Sequence, residues 1–376
     1  MKKILFRKLL FDYMSFFLIA LLSSSIIIWV FQAVNYLDIM IEDGRDYVIY
    51  IKYSLLSFPK TFSKLFTFIL FFSLYYVIIK YENSNELIIF WNFGIHKIEL
   101  INFMIKISLI LMIIQITLSS IVVPKTQDLA RSYLRTSTIN FFENFIKAQK
   151  FNDTIKGVTI FSEKKDNNGN LYNLYLKKEI DEKNFQLTYA KKGIFKEFNN
   201  IPVLVLFDGE TITEKNNEIT NFSFSKSDFP LDNIETNTTT YKKTQELSSI
   251  NLFKCLERLF GSRNIKFTKI ENCKISNIKN IFKEIYKRAV IPLYIPVLVL
   301  ITFFLVLLSK ENSFYNRFKF IIFSTGLIFI IFSEITIRLI SDNLLNNIYI
   351  SLLPLLCFII LYLIIYKKLN FNFFTK

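Results

Sequence analysis

Few side chains in this sequence are equipped for chemistry, and most of those stand in pairs four residues apart. Glu284 and Arg288 are one pair, Glu334 and Arg338 a second, Lys60 and Lys64 a third. Such spacing puts both members on one face of a helix. The first two can be ion pairs. The third can gather positive charge for a phosphate or carboxylate. Glu86 is a further carboxylate of interest, in the stretch Tyr81–Leu100 (YENSNELIIFWNFGIHKIEL). A metal centre or a nucleophilic triad has nothing to start from, because the chain has one histidine, His96, and no Cys/His cluster around it. Its eight glycines form neither G-x-x-x-x-G-K-[ST] nor G-x-G-x-x-G. No cofactor and no catalysis by this chain are expected, so any work it does draws on a partner or an ion gradient.

The elements that must position these residues are apolar and long. Six stretches run three, gap, three: about Tyr13–Val34, Ser54–Ile79, Ile101–Val123, Ala289–Leu308, Phe318–Ile340 and Leu344–Tyr366. Each is near or above the ~20 residues a helix needs to cross the hydrocarbon layer. The hydrophobic fraction is 52%, with 42 Phe among 376 residues, more than a soluble protein needs. The fold class expected is an α-helical polytopic membrane protein with an extramembrane domain between the third and fourth spans. Residues 1–123 would hold spans one to three, 124–288 the extramembrane domain, and 289–376 spans four to six.

Charge gives the orientation. Lys2, Lys3, Arg7 and Lys8 precede the first span, Lys80 and Lys97 flank the second loop, Lys310, Arg317 and Lys319 the fourth, and Lys367, Lys368 and Lys376 the C-terminus. The opposite short loops offer Arg45 and Lys52. By the excess of Lys and Arg on the cytoplasmic side, both termini are expected inside and the central domain outside. The net charge of +15 is dispersed, with no basic stripe interleaved with aromatics, so nucleic acid is not an expected partner. The Lys-rich start followed by an apolar run reads as an uncleaved first span. Cys255 and Cys273 both fall in the outer segment, where a disulfide and two free thiols are equally open.

That segment is expected to begin where Pro124 stops the third span. Lys125–Lys150 reads as a helix leading out. From Gly157 the period becomes two. Gly157–Glu163 and Leu171–Lys177 flank Asp166-Asn167-Asn168-Gly169-Asn170, a hairpin signature. Short strands follow near Phe185–Ala190, Val203–Phe207, Glu210–Thr213 and Ile219–Ser225, the pattern of a small sandwich or open barrel. Glu246–Phe260 has helical apolar spacing and is either a domain helix or an interfacial one.

Two roles stand open for each charged site. In Tyr81–Leu100, a short helix near 83–94, Asn83 is expected as N-cap with Glu86 three residues on, Leu87, Ile88, Phe90 and Trp91 form an apolar surface, and Gly94 is the stop. Glu86 is then a simple cap, or the contact of a knob that docks on a cytosolic motor. Glu334 and Arg338 form an intrahelical ion pair or face a cavity, since a charge at the bilayer centre costs ~2.5–3.5 kcal/mol. Lys60 and Lys64 snorkel to the interface, or ring an opening with Arg338 for an anionic ligand. Glu284 and Arg288 alone would be a surface pair worth a few tenths of a kcal/mol.

Together these features resemble the LptF/LptG (YjgP/YjgQ) family of lipopolysaccharide export permeases, over the whole chain. The most specific match is Ser84-Asn85-Glu86-Leu87 through Gly94-Ile95, similar to the family's S-E-[LI]-x-x-x-x-x-x-G pattern with Asn85 inserted after the serine. Glu284-x-x-x-Arg288 with Pro292-Leu293 resembles the approach to the fourth span. That pair and the Gly169-Asn170-Leu171…Tyr175-Leu176 hairpin look more LptF-like than LptG-like. The resemblance implies a jelly-roll-like periplasmic domain and a place in the bacterial inner membrane. It also implies pairing with a second, LptG-like permease, a cytosolic ABC ATPase dimer bound at Glu86, Leu87, Phe90, Trp91 and Gly94, and a single-span LptC-like partner. Lipopolysaccharide would be the cargo, with Lys60, Lys64 and Arg338 toward its anionic groups and Glu284/Arg288 as a structural pair. The rival expectation is a non-transporting scaffold or mechanotransmission subunit whose outer domain binds an envelope partner.

Overall fold

In this computed structural model the described residues are 2–41, 47–136, 146, 148–155, 158–166, 169–181, 184–198, 201–215, 218–230, 242–260, 272–308 and 310–371. The chain divides into two compact units. The first comprises Met1–Val30, Ser57–Asp128 and Tyr241–Lys376, the second Phe31–Leu56 and Leu129–Thr240. Among the described residues six helical segments are long and apolar enough to cross a membrane: Lys2–Leu37, Tyr47–Asn83, Lys97–Leu134, Ile275–Leu307, Tyr315–Arg338 and Leu344–Leu369.

Helices α1 (Lys2–Ile41) and α2 (Tyr47–Asn83) are followed by a seven-residue helix, α3 (Glu86–Asn92), then α4 (Lys97–Thr117) and α5 (Val123–Thr136). After the strands come α6 (Ser249–Phe260), α7 (Ile278–Ala289), α8 (Tyr294–Phe303), α9 (Tyr315–Arg338) and α10 (Leu344–Phe371). Every residue of α8 is buried. A helix apolar on all sides belongs in the middle of a bundle, and α8 packs against α4, α9 and α10. Gly326 of α9 lies against the ring of Phe71 on α2, where a Cβ would overlap the ring.

Pro124 does not stop the third span. A π-turn over Leu118–Val122 joins α4 to α5, and the helix continues through the proline. The wider i→i+5 turn opens the ladder just before a residue that has no N–H to give and whose ring crowds the preceding turn.

In the same unit, α6 packs Leu252 and Cys255 against Leu247 and Ile281. This makes it a helix of the fold, although Ile250 and Phe253 remain exposed on its far side. Cys255 is disulfide-bonded to Cys273. Of the two thiol states left open by the sequence, the structure has the bridged one.

The second unit contains one six-stranded antiparallel sheet in sequence order, β1 (Phe151–Ile155), β2 (Val158–Lys165), β3 (Leu171–Asp181), β4 (Asn184–Phe198), β5 (Ile201–Lys215) and β6 (Glu218–Pro230). The order is a plain meander; no Greek-key crossover of the jelly-roll kind occurs among the described residues. The expected hairpin is present. Lys165 pairs with Leu171, Asp166 N donates to Asn170 O at 2.9 Å, and Gly169 sits at φ 77°. Val203–Phe207 and Glu210–Thr213 were expected as two strands and are one, β5. Its neighbours pair with it on both sides of Asp208, through Phe207↔Lys192 and Gly209↔Ala190, so the ladder carries across the Asp-Gly break.

One face of this sheet buries Ile160, Leu174, Leu176, Ala190, Leu204 and Leu206. The other carries a cross-strand aromatic row, Phe151–Phe161–Tyr175–Tyr189, with successive ring centroids 4.9, 6.2 and 4.9 Å apart. Facing aromatic pairs of this kind reinforce the strand register.

Candidate functional site

Two places in the first unit gather the chemistry-bearing residues. The first is α3. Helix α2 runs through Asn83, with Ser84 N still donating to Lys80 O at 2.9 Å. Asn83 therefore closes α2 and does not cap α3. The chain reverses at Asn85, in the left-handed region at φ 60°, and Asn85 makes no side-chain cap. Glu86 is held from two sides instead: Ser84 Oγ donates to its Oε1 at 3.0 Å and Lys8 Nζ of α1 to its Oε2 at 3.1 Å.

The stop at Gly94 is as expected. Gly94 has φ 70°, its N–H donates to Trp91 O at 3.0 Å, and Ile95 N donates to Phe90 O at 3.1 Å. These two bonds are a Schellman motif, completed by the paired burial of Phe90 and Ile95. The apolar surface divides differently from the expectation. Leu87 and Phe90 are 1% and 2% exposed, within the protein's own core, and Trp91 is half-buried beneath Lys97. Ile88, Ile89 and Phe93, each more than 40% exposed, form the outward ridge. Around α3 the loops are tied down: Tyr81 Oη donates to Asp12 at 2.5 Å, Lys310 N to Glu82 at 3.1 Å, and Lys97 Nζ to Val306 O at 2.8 Å.

The second place is a cavity of about 280 Å³ lined by α2, the α4–α5 turn region, α7 and α9. Lys60, Lys64, Lys287 and Arg288 supply its cations, Glu284 and Glu334 its carboxylates. Arg288 is 3% exposed and occupied on every side. Its Nε and Nη2 donate to Glu284 Oε1, both at 3.1 Å, its Nη1 to Leu247 O at 2.8 Å and Ser249 Oγ at 3.0 Å, and its Nη2 also to Gln245 O at 3.1 Å. This corrects the expected surface pair. Arg288 is a buried pin that satisfies the carbonyls of the segment entering α6. Its own carbonyl accepts from Ser119 of the π-turn at 3.1 Å, and Ser249 Oγ donates to Ser120 O at 2.9 Å. The pin, the π-turn and the start of α6 thus form one polar joint.

Of the ligand residues expected from sequence, the structure brings Lys60 and Lys64 to the cavity and leaves Arg338 out. Arg338 is exposed and makes no ion pair with Glu334, which faces the cavity instead. Sequence reading missed Gln115, Gln127 and Lys287. Gln115 carried its own signal, an amide inside an apolar span, where polar groups are costly. Among the described residues no group of three or more His, Cys, Asp or Glu is placed to hold a metal ion.

Comparison with known proteins bears on the whole chain. A family model described as "Lipopolysaccharide export system permease LptF/LptG" matches residues 7–368. The chain is also similar to Uncharacterized protein RP871 of Rickettsia prowazekii (strain Madrid E), 23% identical over 301 residues, covering 79% of this chain and 81% of that protein.

Proposed function

This chain belongs to the LptF/LptG family of lipopolysaccharide export system permeases, and from that premise we propose that it is the permease subunit of an ABC transporter, powered by a separate cytosolic ATPase. In this reading it takes lipopolysaccharide out of the bacterial inner membrane and passes it to a periplasmic bridge. It pairs with a second, LptG-like permease and takes the LptF-like place itself. An LptC-like single-span protein receives the lipid from the sheet domain on the periplasmic side.

The observation that carries the reading is the construction of α3. A helix of seven residues is anchored by two core side chains and a Schellman stop, with an apolar ridge of Ile88, Ile89 and Phe93 turned outward beside Glu86. Such a rigid, greasy knob suits a groove on a motor that pushes. The Cys255–Cys273 bridge supports a non-cytoplasmic side for the segment that contains it, because disulfides persist in oxidising compartments. Of the cations expected for the lipid's anionic groups, we retain Lys60 and Lys64, which line the cavity.

The test is affinity purification of the full chain in mild detergent, with identification of what comes with it. Recovery of an ATPase and a second six-span chain is expected. A chain that exports lipid with neither partner, or whose sheet domain is cleaved by protease from the cytosolic side, would overturn the reading.

A further inference from the structure

We infer that α6 is an interfacial helix: its first two turns lie in the headgroup layer of the leaflet opposite Lys97, with Ile250 and Phe253 turned into lipid. Only the spans are needed for this placement, so it stands apart from the transport reading. Helix α6 has two apolar faces. On one, Leu252 and Cys255 are buried against Leu247 and Ile281. On the other, Ile250 and Phe253, one turn apart, are 67% and 56% exposed. The polar strip between them is narrow, made of Asn251, Lys254 and Arg258, all exposed. In water a helix apolar around most of its circumference leaves one face unsatisfied. At a membrane surface both faces are used, one against protein and one against lipid.

Two fasteners fix the depth of that second face. Ser249 Oγ donates to Ser120 O at 2.9 Å. The helix from Lys97 to Ser120 rises about 35 Å, slightly more than the ~30 Å hydrocarbon core, so Ser120 stands at its far edge. Arg288 Nη1 donates to Ser249 Oγ at 3.0 Å and to Leu247 O at 2.8 Å. Arg288 is the last charged residue before an apolar run that ends at Lys310, and a charge is costly in hydrocarbon, so it marks the same edge from the fourth span. Ile250 and Phe253 follow Ser249 by no more than about 6 Å along the helix, and the headgroup layer is about 5–7 Å deep. Both therefore stay within that layer whether α6 lies flat or rises. Glu257 shares their face but sits about 12 Å from Ser249, where a rising helix has reached water. Lys254, on the flank, is at the level of the lipid phosphates. The π-turn that receives Ser249 also presents Ile121 and Val122 outward, 53% and 38% exposed, so lipid-facing surface extends up to the start of α6. The occupant these features select is a phospholipid surface.

The experiment uses the full-length chain with a photo-crosslinking side chain, p-benzoylphenylalanine, at one position. The chain is reconstituted in vesicles of phosphatidylethanolamine and phosphatidylglycerol and irradiated, and mass spectrometry measures the yield of phospholipid adducts. Ile113, 57% exposed in the third span, sets the yield for full lipid contact, and Lys177 of β3 the yield in water. Probes in place of Ile250 and of Phe253 are expected to give adducts within about threefold of the Ile113 yield and about tenfold above the Lys177 yield. Both positions are exposed, so the probe displaces no packed side chain. Adducts from both positions at the Lys177 level, in chains that elute as the parent does, overturn the placement. So does crosslinking of the Phe253 probe in intact cells to a polypeptide in place of lipid, which would make this face a protein interface.

Discussion

Lys8 and Glu86 stand 78 residues apart in sequence and 3.1 Å apart in space, joining the first turns of the first span to the short helix α3. Glu86 is thus neither an isolated cap nor a carboxylate waiting in solvent. It is already oriented by a lysine and a serine, with its side chain 28% exposed.

That geometry separates two roles. An exposed pair of this kind contributes at most about 1 kcal/mol, so Lys8→Ala should leave thermal stability and ATPase recovery nearly unchanged. Glu86→Arg should sharply reduce ATPase recovery, with membrane insertion intact. If Lys8→Ala lowers recovery as much as the Glu86 change, the carboxylate serves to fasten α1 and not to meet a motor. Parallel pull-downs read this directly.

The two faces of α3 should fail in different ways. Phe90→Ala empties a core position, and its expected loss is about 3–5 kcal/mol, visible as a lowered melting temperature. Ile88→Ser with Ile89→Ser removes the outward ridge, and should cut ATPase binding while the melting temperature stays within a degree or two. A melting temperature lowered equally by both changes would show that the ridge is not a free surface.

Arg288 should tolerate no replacement. Arg288→Met leaves Glu284 and the carbonyls of Gln245 and Leu247 without their donor, and breaking a buried pair from one side costs about 3–5 kcal/mol. Arg288→Lys should rescue little, since an ammonium cannot span the five bonds that the planar fork makes. Glu284→Gln keeps an acceptor and should cost less. Thermal unfolding of the three variants gives the order; a benign Arg288→Lys would mean that charge alone matters there.

Gly94→Ala tests backbone conformation in isolation, because a Cβ there meets nothing within 4 Å. At φ 70° the expected cost is about 1–2 kcal/mol. Gly94→Asn should cost less, as asparagine enters the left-handed region more readily. Equal stability of all three proteins would show that the helix stop is made elsewhere.

The six spans and the β2–β3 hairpin could be read from sequence because each has a local cause: an apolar run of sufficient length, and a turn rich in Asn, Asp and Gly. The joint at Arg288 could not. Its acceptors Leu247 and Gln245 lie 41 and 43 residues away, and no local spacing reports such a contact. The faces of α3 were illegible for another reason. Leu87, Ile88, Ile89, Phe90 and Trp91 are consecutive apolar residues, so period cannot say which two point inward. Pro124 misled because a proline's lost hydrogen bond can be absorbed by a π-turn upstream, a tertiary adjustment supported by Ser119 and Ser249. Arg338 shares a helical face with Glu334 in principle. The cavity, set by neighbouring helices, accepts one and not the other.

The meander has a consequence for biogenesis. Among the described residues, each strand from β1 to β6 hydrogen-bonds only to its neighbours in chain order, so each of these pairings closes a short loop of polypeptide. Such low contact order favours fast, local assembly. The sheet can zip together stepwise as the ribosome delivers it, while the last three spans are still to be synthesised.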